Sequence, residues 1–84
     1  MSFFLDFLTW EKRVIDGGTK VIEKYRFILE KNKDTSQDLW RLKIYQKQEE
    51  KLLFKSKEYS KKEMKLLYRN ITNLKDINRI LKKQ

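Results

Sequence analysis

The sequence predicts an all-α fold: three to four helices in a small antiparallel bundle or an extended helical hairpin. Three observations lead there. The 84 residues contain no proline, so nothing strips a backbone donor from a helix interior. Apolar residues recur at three- and four-residue spacing along most of the chain. Ser60 followed by Glu63 has the form of a capping box, the reciprocal signal of a helix start. Alternating β-branched residues, a usual mark of strands, are not evident.

Residues 1–16 read as an apolar N-terminal helix. Phe3, Phe4, Phe7, Leu8 and Trp10 crowd its start, more apolar surface than one narrow stripe buries. Three readings stand: the cluster wraps under the other helices as core, docks into a partner's groove as candidate partner-binding residues, or lies on a membrane surface. Asp16-Gly17-Gly18-Thr19 then has the form of a stop and a new N-cap, since glycine adopts the left-handed C-cap at little cost.

Residues 20–32 form the expected second helix, with Val21, Ile22, Tyr25, Ile28 and Leu29 on one stripe. A turn follows at residues 32–36. The expected third helix, residues 36–59, is basic. Lys43, Lys47, Lys51 and Lys55 stand four apart, which stacks them on one helical face despite their mutual repulsion. Trp40 and Phe54 fall on the same side. Aromatics among cations suit a polyanion whose bases stack and whose phosphates pair, so these six residues form the candidate polyanion site; the alternative is a solvated lysine face with Trp40 and Phe54 packed on another helix of the chain.

Residues 60–83 form the expected C-terminal helix. Met64, Leu67, Ile71, Leu74, Asn78 and Leu81 are spaced three and four apart, a coiled-coil-like seam with one polar position that would set register. The run from Tyr59 to Gln84 loosely resembles the first two helices of Myb-like or sigma-factor helix-turn-helix domains, through Glu63, Leu66, Leu67, Ile77 and Leu81. That family's recognition helix would follow Leu81. Leu67-Tyr68-Arg69 also resembles the tripeptide of the mitochondrial LYR-motif proteins, which lies in their first helix. Neither family is assigned.

Charge separates the chain into two halves. Residues 1–40 carry seven bases and seven acids; residues 41–84 carry 14 bases against five acids, the whole net charge of +9. Cysteine and histidine are both missing, which removes the commonest thiolate and imidazole ligands and the commonest general base. Two adjacent glycines make no phosphate-cradling loop. No catalytic, cofactor or metal residue is therefore assigned, and the chain reads as a non-enzyme.

The leading functional expectation is a basic adaptor or accessory subunit. It would dock by apolar helix faces on a larger assembly or on its own copy, and turn a lysine face to an acidic partner. The alternative is a small nucleic-acid-binding protein, regulatory or architectural; a peripheral membrane protein comes third. With neither a signal-peptide pattern nor a run of about 20 apolar residues, the expected location is intracellular, in cytoplasm or an organelle matrix.

Overall fold

The computed structural model describes residues 9–83. It overturns the all-α expectation. Among the described residues five strands, β1 (Trp10–Arg13), β2 (Val21–Ile22), β3 (Tyr25–Asn32), β4 (Trp40–Gln46) and β5 (Lys51–Lys55), precede two short helices, α1 (Lys61–Asn70) and α2 (Leu74–Lys82). There is neither a helical bundle nor a coiled coil among the described residues. The expected helices at 20–32 and 36–59 are strands, and Trp10–Arg13 within the expected first helix is a strand as well.

The reason lies in the two central strands. In β3, Tyr25, Phe27 and Leu29 are buried and alternate with Arg26, Ile28 and Glu30. In β4, Trp40, Leu42 and Ile44 are buried on the side of Phe27 and Leu29, while Arg41, itself buried, Lys43 and Tyr45 take the other side. This is a period of two, carried by aromatics and leucine as much as by β-branched residues. The same positions also satisfy a three-four pattern, and pairing with neighbouring strands decides between them.

The sheet is antiparallel in the order β1-β3-β4-β5, and β2 shares the β1 edge of β3. A register shift between Ile44 and Tyr45 places one extra β5 residue, Leu53, between Phe54 opposite Ile44 and Leu52 opposite Tyr45. Past β5 the chain touches β4 again, with Trp40 N–H donating to the Tyr59 carbonyl at 2.7 Å and Tyr59 N–H to the Trp40 carbonyl at 2.8 Å. Asp16, Glu23 and Glu50 turn the chain in the left-handed region, at φ 61°, 54° and 50°, beside Gly17 at 83°.

The helices cover one face of the sheet. Met64, Tyr68, Ile71 and Ile77 join Tyr25, Phe27, Leu29, Trp40, Leu42 and Ile44 in one core. The capping box forms where expected: Glu63 N–H donates to Ser60 Oγ and Ser60 N–H to Glu63 Oε1, each at 3.2 Å. The helix it starts is shorter than residues 60–83, because α1 ends at Asn70 and Asn73 caps α2 by accepting from Asp76 N–H at 3.0 Å. That break dissolves the seam. Met64 and Ile71 are buried and Leu67 and Leu81 partly so, but Leu74 and Asn78 are exposed, and Tyr68 and Ile77 fill the core instead. Among the described residues no helix is long and apolar enough to cross a membrane.

Candidate polyanion interface

In an antiparallel pair, residues directly opposite each other point to the same face, and every second residue along a strand shares it. The pairings therefore define the face turned away from the helices. Trp10 lies opposite Asn32. Lys12 faces Glu30, and Glu30 faces Arg41. Ile28 faces Lys43, and Lys43 faces Lys55. Val21 faces Arg26, Arg26 faces Tyr45, and Tyr45 faces Leu52. Among the described residues no helix packs on this face. It carries Lys12, Arg26, Arg41, Lys43 and Lys55 against the single carboxylate of Glu30.

Glu30 sits among these cations and binds two of them. Arg41 Nε donates to Glu30 Oε1 at 2.7 Å, and Lys43 Nζ lies 3.4 Å from the same oxygen. The three side chains are only 6–13% exposed, so the pairing holds them in place where water screens less. The Arg41 guanidinium lies 4.1 Å from the centre of the Trp10 ring, a cation–π contact that orients both. Arg26 is looser: it lies 3.8 Å from Glu50, 5.7 Å from the Tyr45 ring, and keeps a buried Nε without an acceptor. Lys12 and Lys55 are exposed.

Of the six residues expected to form the polyanion site, the sheet brings together two. Lys43 and Lys55 are direct cross-strand neighbours. Lys47 lies in the turn beyond β4, and Lys51 faces Gln46 on the opposite side from the Tyr45–Leu52 pair. Trp40 is buried in the core, and Phe54, opposite Ile44, packs against that core. Both are therefore on the helix side. Of the expected partner-binding residues, Trp10 is on the cationic face; Phe3, Phe4, Phe7 and Leu8 lie outside the described residues. Sequence reasoning missed Lys12, Arg26, Arg41 and Tyr45. The signal was the second phase of the alternation in YRFILEK and WRLKIYQ, whose polar members all land on one face.

Behind this face, the loop at residues 14–20 is fastened to α1. Arg69 donates twice to Asp16, at 2.6 and 2.9 Å, and this holds the Asp16 carboxyl below its usual range. Lys20 Nζ donates to the carbonyls of Tyr68 and, at 2.6 Å, Ile71, a cation placed on the C-terminal end of α1. Burial lowers the Lys20 ammonium pKa, while Asp16 and Asp76 act to raise it. Among the described residues, no three His, Cys, Asp or Glu side chains are grouped to hold a metal ion. No known protein family matches the chain, and no curated protein or solved structure does either.

Proposed function

We propose that the chain is a non-catalytic protein that binds a single-stranded nucleic acid across the sheet face on which no helix packs among the described residues. The observation that carries this reading is the placement of Lys43 directly opposite Lys55 within a face of five cations and one acid. Like charges directly opposed weaken a sheet; Glu30 offsets this at Lys43 but pairs with neither Lys12 nor Lys55, and a strand of phosphates would neutralise the remainder. Trp10 and Tyr45 stand at opposite ends of the same face. Tyr45 is part-exposed and offers a ring on which a base stacks. The four cross-strand rows span roughly 20 Å at ~3.3 Å per residue. Three of the five cations are lysines, point charges without the fork that reads a base edge, so recognition is blind to sequence.

A specific observation favours a second reading, the accessory subunit docked on an acidic protein. Val21 and Leu52 are 45% and 43% exposed and flank Arg26 and Tyr45 in one row, an apolar rim of the kind protein partners cover.

Fluorescence anisotropy of labelled oligothymidine and of a duplex, each at two salt concentrations, tests the proposal. The expected result is tighter binding of the single strand and a steep fall of affinity with salt. Replacing Lys12, Lys43 and Lys55 by Gln flattens the log–log salt slope by about 0.7 for each phosphate that is no longer neutralised. Tyr45→Ala costs roughly 1–3 kcal/mol of binding if a base stacks there. No binding at low salt refutes the nucleic-acid reading and leaves the protein partner.

A further inference from the structure

The sheet has a gap on its β1–β2 edge. β1 covers Leu29 to Asn32 of β3, and β2 covers Tyr25 and Arg26. Between them the chain leaves the sheet through residues 14–20, and one bond, Phe27 N–H to the Lys20 carbonyl at 2.9 Å, spans the interval. The gap encloses a cavity of about 160 Å³. Lys12 and Arg13 from the end of β1, Gly18 and Thr19 from the loop, and Arg26 and Ile28 from β3 line it. No carboxylate is among the lining residues.

We infer that this notch is a phosphate-binding subsite, which seats one phosphodiester of the strand that crosses the cationic face. The inference rests on that reading of the face. Four observations support it. Three cations share the wall of one small cavity with apolar Val14, Leu29 and the Tyr68 ring, and no carboxylate lines it, so an anion seated there meets attraction without repulsion from the wall. Lys12 makes no ion pair among the described residues, and exposed Arg13 pairs with Glu11 at 2.5 Å and donates to the Lys12 carbonyl at 3.4 Å. Arg26 retains a buried Nε–H with no acceptor, a rare condition for a buried donor. The Thr19 hydroxyl and the open backbone at Gly18, where an added Cβ would meet nothing within 4 Å, allow close approach from the loop side. The volume suits a tetrahedral anion with part of its attached sugar and is too small for a nucleobase pair. Lys12 and Arg26 belong to both the notch and the face, so a strand held by the face is led to the notch at its edge.

The test is a series of amide spectra of the full chain in two arms. One arm adds inorganic phosphate; the other adds unphosphorylated oligothymidine, whose only phosphates are internal diesters. Expected is that oligothymidine shifts the amides of Gly18, Thr19 and Ile28 together with that of Tyr45. The Lys12→Gln/Arg13→Gln variant should lose the notch shifts, keep that of Tyr45, and show a salt slope lower by about 0.7. Unchanged circular dichroism and core amides establish that this variant is folded; Thr19→Val, which leaves every charge in place, should weaken the notch shifts alone. If Tyr45 responds and the notch amides do not, the subsite is overturned and the face reading stands. If inorganic phosphate moves the notch amides while oligothymidine binds nowhere, the face reading fails and the strand-phosphate assignment fails with it, leaving a small-anion site. Silence in both arms overturns both.

Discussion

Asp38 joins the sheet to the first helix, and its removal has a calculable cost. Its Oδ1 accepts from the Trp40 indole N–H at 2.7 Å and its Oδ2 from Lys61 N–H at 2.9 Å. Trp40 is 3% exposed. In Asp38→Ala its indole N–H exchanges a charged acceptor for water at the exposed position 38, at roughly 0.5–1.5 kcal/mol. The start of α1 also loses a negative charge, worth about 0.3–1 kcal/mol. Together these give about 1.5 kcal/mol, which is a melting point lower by about 9 °C at ~4–8 °C per kcal/mol for a chain of this size. Asp38→Asn keeps one acceptor oxygen and should fall between. The two N–H donors, Lys61 first and then Trp40, hold the Asp38 carboxyl below its ordinary 3.8. A carboxyl lowered by folding contributes its full stability above 3.8 and loses it as pH falls through the folded value. The difference between the natural chain and Asp38→Ala should therefore be whole at neutral pH and close below pH 3.8. Thermal and urea unfolding followed by tryptophan fluorescence and circular dichroism measures both. An unchanged melting point in Asp38→Ala, or a difference constant from neutral to strongly acid pH, would refute the reasoning.

Other outcomes follow from the packing. Ile77→Ala should cost roughly 2–5 kcal/mol, and Asn78→Leu should leave urea stability nearly unchanged, because Ile77 is fully buried and Asn78 exposed; the reverse order would restore the seam. Lys20→Met should lower stability by about 1 kcal/mol after solvent screening and speed hydrogen exchange at the end of α1; unaltered exchange there would show that the Lys20 hydrogen bonds hold nothing. Asp16, held down by Arg69, and Asp76, held down by the Thr72 N–H, also have carboxyl pKa values below 3.8. Urea midpoints should accordingly decline below pH 3.8, and Asp16→Asn and Asp76→Asn should each make that decline shallower.

The end of the chain was the legible part. Ser60 and Glu63 signal a helix start through groups three residues apart, and no distant contact is needed to form it. Gly17-Gly18 and the turn after Asn32 were also visible as interruptions, and both fall between strands. The strands were not. Their turns place Glu23 and Glu50 at positive φ, where a hairpin usually advertises itself with glycine or asparagine. Without that signal, residues 40–55 read as one continuous helix, and its lysines at intervals of four as one stripe. In the hairpin that exists, the chain reverses between Lys47 and Lys51, so Lys43 meets Lys55 across the sheet and Lys51 turns to the other face. The candidate site was half visible for the same reason. A cation on β1 such as Lys12 and one on β4 such as Arg41 become neighbours only through Glu30 on β3, and strand order is not written in local spacing.

The fastening of the loop at residues 14–20 to α1 also sets an order of events in folding. Asp16 and Arg69 are 53 residues apart, and Lys20 and Ile71 are 51. During synthesis from the N-terminal side, the loop at residues 14–20 has no anchor on α1 until residues 69–71 have emerged. Until then the sheet's apolar face, with Phe27, Leu42 and Ile44, has no helix to cover it. Closing such long loops costs chain entropy before any contact repays it. The packing of the sheet is thus completed late, when α1 and α2 arrive and lock the loop at residues 14–20 in place.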